Sequence, residues 1–190
     1  MKIDLAIEKV KAHLTEERFQ HSIRVAETAV KLAELYRDST EKAELAAIFH
    51  DYAKYRPLDE MKHWIKKSPL PKDLLHYHHE LWHGPVGALL IEAEHGIVDK
   101  EIQNAIHYHT TGRAHMSKLD KIIFLADYIE PGRKFPGVDD VREMAKKDLT
   151  KACWMASRNT INHLVNKGNT IYPDTFYAYN DLTNQINGGA

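Results

Sequence analysis

At 190 residues, with 43% hydrophobic and 28% charged side chains, the chain has the balance of one globular domain able to bury a core. A formal net charge of -1 excludes the global basic field that holds a nucleic acid polymer, while leaving room for a local basic pocket around a small phosphate ligand. The single cysteine, Cys153, excludes an internal disulfide framework and a cysteine-based zinc site. Glycine and proline fall between periodic segments, and no long run of β-branched alternation occurs, so the chain reads as all-α from end to end. A first helix is expected from about Ile3 to Val10 or beyond, its charges breaking any signal-peptide core. The second covers about Glu16 to Leu35, with Phe19, Ile23, Ala26, Val30 and Ala33 as its apolar stripe. Asp38-Ser39-Thr40 caps a third, which is expected to reach about Ala53 and stop before Pro57. A short helix from about Leu58 to Lys67 ends at Ser68-Pro69-Leu70-Pro71. The next begins at Pro85 and ends at Gly96. Asp99 caps a helix reaching about His109, Ser117 caps Lys118 to Glu130, and Asp139 caps a further stretch. A long helix from about Leu149 to Lys167 closes at Gly168. The aromatic tail, Asn169 to Asn180, starts extended and finishes helical. No repeat or linker intervenes, so residues 1–190 are expected to form a single-domain helical bundle. No apolar run approaches the roughly 20 residues of a membrane span, and the default location is a reducing cytoplasm.

Histidine is the anomaly, at 13 residues. With almost no cysteine, a metal here would be bound by imidazole and carboxylate, a set that suits iron, manganese, zinc or cobalt. His50-Asp51 ends an apolar run from Leu45 to Phe49, where an imidazole and a carboxylate side by side are costly unless something satisfies both. Lys54, four residues after His50 and three after Asp51, shares their helical face and could balance phosphate charge. His21 stands off the Phe19 stripe on a second, partly apolar line with Arg18, Val25 and Thr28. Asp127 is a lone carboxylate in the apolar run Ile122 to Ile129, with Arg133 just past Pro131-Gly132 able to reach back to it.

The order H…HD…D, from His21, His50-Asp51 and Asp127, resembles the signature of the HD superfamily, helical proteins in which these four residues bind a metal. His83 and His109 fall between the HD pair and the last Asp, and that longer pattern resembles HD proteins that hold two metals bridged by the Asp. The local runs WHGPVGA, HYHTTG and LADYIEPGR look like the YqeK family, from about Arg18 to Tyr179. The resemblance implies symmetrical hydrolysis of a dinucleoside tetraphosphate, diadenosine tetraphosphate giving two ADP, with iron as the metal. Manganese, cobalt, zinc and magnesium are the alternatives, and one or two ions are compatible with the pattern.

In that reading the metal motif spans residues 18–133. His21, His50, Asp51 and Asp127 hold the first ion, leaving positions for water and a phosphate oxygen. Asp51 or Asp127 orients the water. His83 and His109 bind a second ion or donate to a phosphate. Arg18, Lys54 and Arg133 balance the polyphosphate charge, with Thr110 beside His109. The C-terminal helix and tail, residues 149–182, complete the pocket, and Thr170-Ile171-Tyr172 forms a wall for the base. A cap role for His83 and a simple ion pair of Asp127 with Arg133 are the bland alternatives. His76, His78 and His79 read as a solvated edge. His13, His63, His95, His107, His115 and His163 read as surface, and Cys153 as small buried packing. An HD-type nucleotidase acting on mono- or deoxynucleotides and a non-catalytic nucleotide-binding sensor are the competing functions. No membrane or nucleic acid polymer is expected as a partner, and a homo-oligomer is left open.

Overall fold

The computed structural model describes residues 1–188, and among them there are ten α-helices, two short 3-10 turns and no strand. In chain order the helices are α1 (Ile3–Lys11), α2 (Glu16–Tyr36), α3 (Thr40–Phe49), α4 (Leu58–Lys67), α5 (His83–His95), α6 (Lys100–Tyr108), α7 (Lys118–Ile129), α8 (Val138–Ala145), α9 (Leu149–Asn166) and α10 (Pro173–Ile186). Their starts are set by side chains that accept the first free amides. Thr15, Ser39, Asp99, Ser117 and Asp148 do this for α2, α3, α6, α7 and α9. Ser117 and Asp120 close a full capping box at α7.

The centre of the bundle is α2, α3, α6 and α7, which pack on one another, with α5 against α6 and α9 against α7. Ile48 and Phe49 of α3, Ile106 of α6, and Ile122, Ile123 and Leu125 of α7 are all fully buried there. Each large apolar side chain so buried contributes roughly 1.5–3 kcal/mol relative to exposure. One continuous cluster of buried residues runs from Ala6 on α1 to Leu182 on α10. No helix is long and apolar enough to cross a membrane.

Several boundaries differ from the sequence expectation. α3 ends at Phe49, not Ala53, because the chain tightens into successive i to i+3 turns: Tyr52 N to Phe49 O, Lys54 N to Asp51 O and Arg56 N to Ala53 O. Pro57 then pushes Arg56 away from helical geometry. α5 begins at His83, two residues before Pro85, and its cap position is Trp82, so His83 does not cap it. α8 is preceded by Gly137 in the left-handed region (φ 86°), which leaves Asp139 in the first turn instead of at the cap. On α2 the buried face is wider than the Phe19 stripe. His21, Val25 and Leu32 are buried, while Ile23 and Val30 are only half-buried. Two of the six histidines expected at the surface are half-buried. His95 packs against the Phe49 and Tyr52 rings, and His107 stacks on Tyr108.

Candidate metal centre

Helix ends build the site. His50 is the C-terminal cap residue of α3, His109 that of α6, His83 the first residue of α5, and Asp127 stands in the last turn of α7. Helix ends carry carbonyls with no partner in the helix, and the histidines use such groups as anchors. His50 Nδ1 lies 2.6 Å from the Ala47 carbonyl, His83 Nδ1 2.6 Å from that of Glu80, and His109 Nδ1 2.7 Å from that of Ile106. A carbonyl oxygen only accepts, so each Nδ1 carries hydrogen, and Nε2 of the neutral ring is left as a lone pair. His21, from α2, is anchored in the same way by a carboxylate: its Nδ1 donates to Glu130 Oε1 at 3.1 Å.

The four Nε2 atoms converge on two carboxylates. Asp51 Oδ2 is 3.1 Å from His50 Nε2 and 3.7 Å from His21 Nε2, whereas Asp51 Oδ1 is 3.1 Å from His83 Nε2 and 4.0 Å from His109 Nε2. One carboxylate thus faces two pairs of imidazoles, one pair per oxygen. Asp127 Oδ1 adds contacts of 3.1 Å to His21 Nε2 and 4.0 Å to His50 Nε2. His83 Nε2 and His109 Nε2 stand 3.0 Å apart with both Nδ1 hydrogens already committed, so acceptor faces acceptor. Such a cluster is satisfied only by protons or by cations placed among the acceptors. The Nε2 atoms of His21 and His50 are buried and have no hydrogen-bond partner. Two sets fit a metal ion by mutual distance: His21, His50 and Asp127, and His50, Asp51 and His109. The donor set therefore fits the expected metal.

The electrostatics keep both carboxylates charged. Burial works against charge on Asp51, but His50 and His83 outweigh it and hold the carboxyl well below the usual range. Burial likewise opposes charge on Asp127, where His21 and Arg133 prevail. His109 is pushed down to about 3, first by burial and then by His83, so it stays a neutral ligand-type imidazole. His50 goes the other way, because the Asp51 charge overcomes the burial that disfavours its protonation.

Around this core lie the cations. Arg18 Nε is 3.2 Å from Asp51 Oδ2. Arg133 donates to Asp127 Oδ1 and, through Nε, to the Asp127 carbonyl at 2.9 Å. Arg18, Arg24 and Arg133 line a cleft of about 350 Å³ that also touches His21. Lys54, expected to balance phosphate charge, pairs with Glu80, and the two line a neighbouring cleft with His83. Thr110 Oγ1 is 3.0 Å from His109 Nε2. Thr170 and Tyr172 line a third cleft, of about 340 Å³, beside His78 and Glu80. Tyr172 is 8% exposed and meets Tyr77 edge-on at 4.9 Å, so it presents a packed wall and not a free stacking face. Ile171 is half-buried between them. Phe176 and Tyr177 of the tail are exposed.

Two features escaped the sequence reading. Glu130 is 2% exposed, receives His21 Nδ1, and also accepts from Arg24 Nε at 2.6 Å and the Gly132 amide at 2.6 Å. It orients a metal-site histidine from behind, as outer carboxylates commonly do. The signal was present as the acidic residue of LADYIEPGR. Gly84 is the second. A Cβ there would stand 2.7 Å from the His107 carbonyl, 3.2 Å from that of Ile106 and 3.4 Å from His109 Cε1. Its missing side chain lets the start of α5 lie against the end of α6, which brings His83 beside His109.

With this geometry the comparisons with known proteins agree. The chain is 50% identical, over 93% of its length and 95% of the relative's, to the symmetrical bis(5'-nucleosyl)-tetraphosphatase of Bacillus subtilis (strain 168). It is 54% identical over the same shares to the protein of that name from Halalkalibacterium halodurans. A crystal structure from Clostridium acetobutylicum, described as a predicted HD superfamily hydrolase involved in NAD metabolism, superimposes with a TM-score of 0.92 at 40% identity, covering 97% of this chain and 98% of that one. Residues 18–132 match the HD domain, and the chain belongs to the HD family.

Proposed function

We propose that this chain is a metal-dependent hydrolase that cleaves dinucleoside tetraphosphates symmetrically, so that diadenosine tetraphosphate gives two ADP. The observation that carries the substrate is the near-full-length identity to relatives of that name. The acceptor-only cluster of four imidazoles and two carboxylates carries the need for a metal. His21, His50, Asp51 and Asp127 would hold one ion, and His83 and His109, facing the other oxygen of Asp51, would hold a second. Iron is the proposed ion, since it accepts this imidazole and carboxylate set. When bound, such an ion offsets phosphate charge and lowers the pKa of water toward neutrality.

The protein's own groups do the rest. Asp127, whose side chain keeps 20% of its surface exposed, is the carboxylate best placed to hold and orient the attacking water. Arg18 and Arg133 are each held on a carboxylate of the cluster, which aims both guanidinium groups at one cleft before substrate arrives. Lys54 and Glu80, paired in the cleft beside His83, would open toward an arriving polyphosphate. Thr170, Ile171 and Tyr172 would bound one nucleoside from the side.

The test is a product assay on purified protein with diadenosine tetraphosphate, ATP and dATP supplied separately. ADP as the sole product of the first substrate is the expected result. Cleavage to AMP and ATP, or hydrolysis of the mononucleotides alone, overturns the proposal.

A further inference from the structure

A symmetrical cut requires a nucleoside on each side of the reacting phosphates, and the reading above assigns one of them to the Thr170–Tyr172 cleft. We propose that the groove between α7, residues 133–137 and α9 is the second nucleoside subsite, with Phe135 as its stacking surface. This rests on the dinucleoside tetraphosphate reading above and names where that substrate's other half binds.

The first observation is continuity. A cleft of about 200 Å³ touches His109 and Asp127 of the metal cluster, together with Arg133. Tyr128, Phe135 and Thr160 wall this cleft, and the same three residues wall a larger groove of about 530 Å³. The way out of the metal cluster past Arg133 therefore leads into a space large enough for a nucleoside.

The second observation is chemistry. Phe135 is 37% exposed and meets Tyr128 edge-on, with ring centroids 5.0 Å apart, so one aromatic fixes the other while a ring face stays open to a base. Across from them, α9 presents Asn159, Asn162 and Asn166. Spacings of three and four put these amides on one helical face; Asn159 Oδ1 already accepts from Arg158, while Asn162 and Asn166 offer donors and acceptors to a base edge or a ribose. Among the described residues the groove's lining has no carboxylate and no Lys or Arg, which suits a neutral nucleoside better than a phosphate or a basic partner. Phosphates would stay behind at Arg133.

The experiment compares wild type with Phe135→Ala and Phe135→Trp on two substrates, diadenosine tetraphosphate and adenosine 5'-tetraphosphate. The latter has a single nucleoside and needs only the Thr170–Tyr172 cleft. Phe135→Ala should raise KM for the dinucleoside about tenfold, leave its kcat within about twofold, and leave both constants for the mononucleoside substrate within about twofold. Phe135→Trp, which keeps a stacking face, should restore the dinucleoside KM. Equal losses on both substrates would assign Phe135 a structural role, and an unchanged dinucleoside KM would mean that nothing stacks there. Either result overturns the subsite while leaving symmetrical hydrolysis intact. Failure of wild type to release ADP from diadenosine tetraphosphate would instead sink the functional reading, and the subsite with it.

Discussion

Two polar networks grow from the same turn, and they end differently. His50 and Asp51 point into the metal cluster. Tyr52 and Arg56, one residue and five residues beyond Asp51, point into a second network with Glu94, which runs from the buried Tyr52 ring to the surface. There the charges close on one another. Tyr52 donates to Glu94 Oε2 at 2.5 Å, and Arg56 donates to the two Glu94 oxygens at 2.9 and 2.7 Å and to Glu60 at 3.3 Å. Burial, then Glu94, pushes the Tyr52 phenol up to about 12, so it remains a donor at every physiological pH. A donor meets an acceptor at each of these contacts. In the first network, by contrast, imidazole lone pairs face carboxylates and one another. What sets the first network apart is that its imidazole lone pairs face other acceptors, with His21 Nε2 and His50 Nε2 left without a hydrogen-bond partner.

Substitutions on the two sides should therefore report differently. The largest effect is expected from His50→Ala combined with Asp51→Ala, which removes one imidazole and the carboxylate shared by both pairs. Turnover should fall by more than about a hundredfold, with the helical circular-dichroism signal retained. Glu130→Gln comes next. It preserves shape but weakens the acceptor behind His21, and titration of metal-free protein should show roughly 10- to 100-fold weaker metal binding. Tyr52→Phe breaks the closed network and should lower unfolding stability by about 1 kcal/mol, with metal content unchanged. A loss of metal in that variant would mean that the two networks are not separable.

A separate effect concerns pH. His107 is held down at about 4, by burial and then by Arg113, against an ordinary value of 6.5. The unfolded chain thus takes up a proton there before the folded one does. Stability from this residue is complete above pH 6.5 and declines as pH falls toward 4. A His107→Asn variant should lose less stability than wild type across that window in denaturant titrations.

Half of the helices were legible at their starts because a capping residue precedes an apolar segment, as Ser117 precedes α7. The ligand-type residues were legible because polar groups stood inside apolar runs, as Asp127 does between Ala126 and Tyr128. What escaped depends on contacts distant in sequence. The early end of α3 reflects a side-chain bond from His50 to Ala47 and turns that no periodicity reveals. His21 looked off-stripe because the buried face of α2 is widened by α7, which carries Asp127 and is followed at once by Glu130. The Tyr172 ring read as a stacking candidate until Tyr77 took its edge. Gly84 was visible as a letter, but its purpose depends on the carbonyls of α6 lying opposite. The Phe135 groove joins two segments more than twenty residues apart, and neither carries a motif of its own.

The most direct measurement strips the protein with a chelator, restores ferrous ion in steps, and follows bound metal and ADP release from diadenosine tetraphosphate on the same samples. ADP release should be absent from the stripped protein and rise in proportion to the ion bound. A stripped protein that hydrolyses at the full rate would contradict a metal-dependent centre at His21, His50, Asp51 and Asp127.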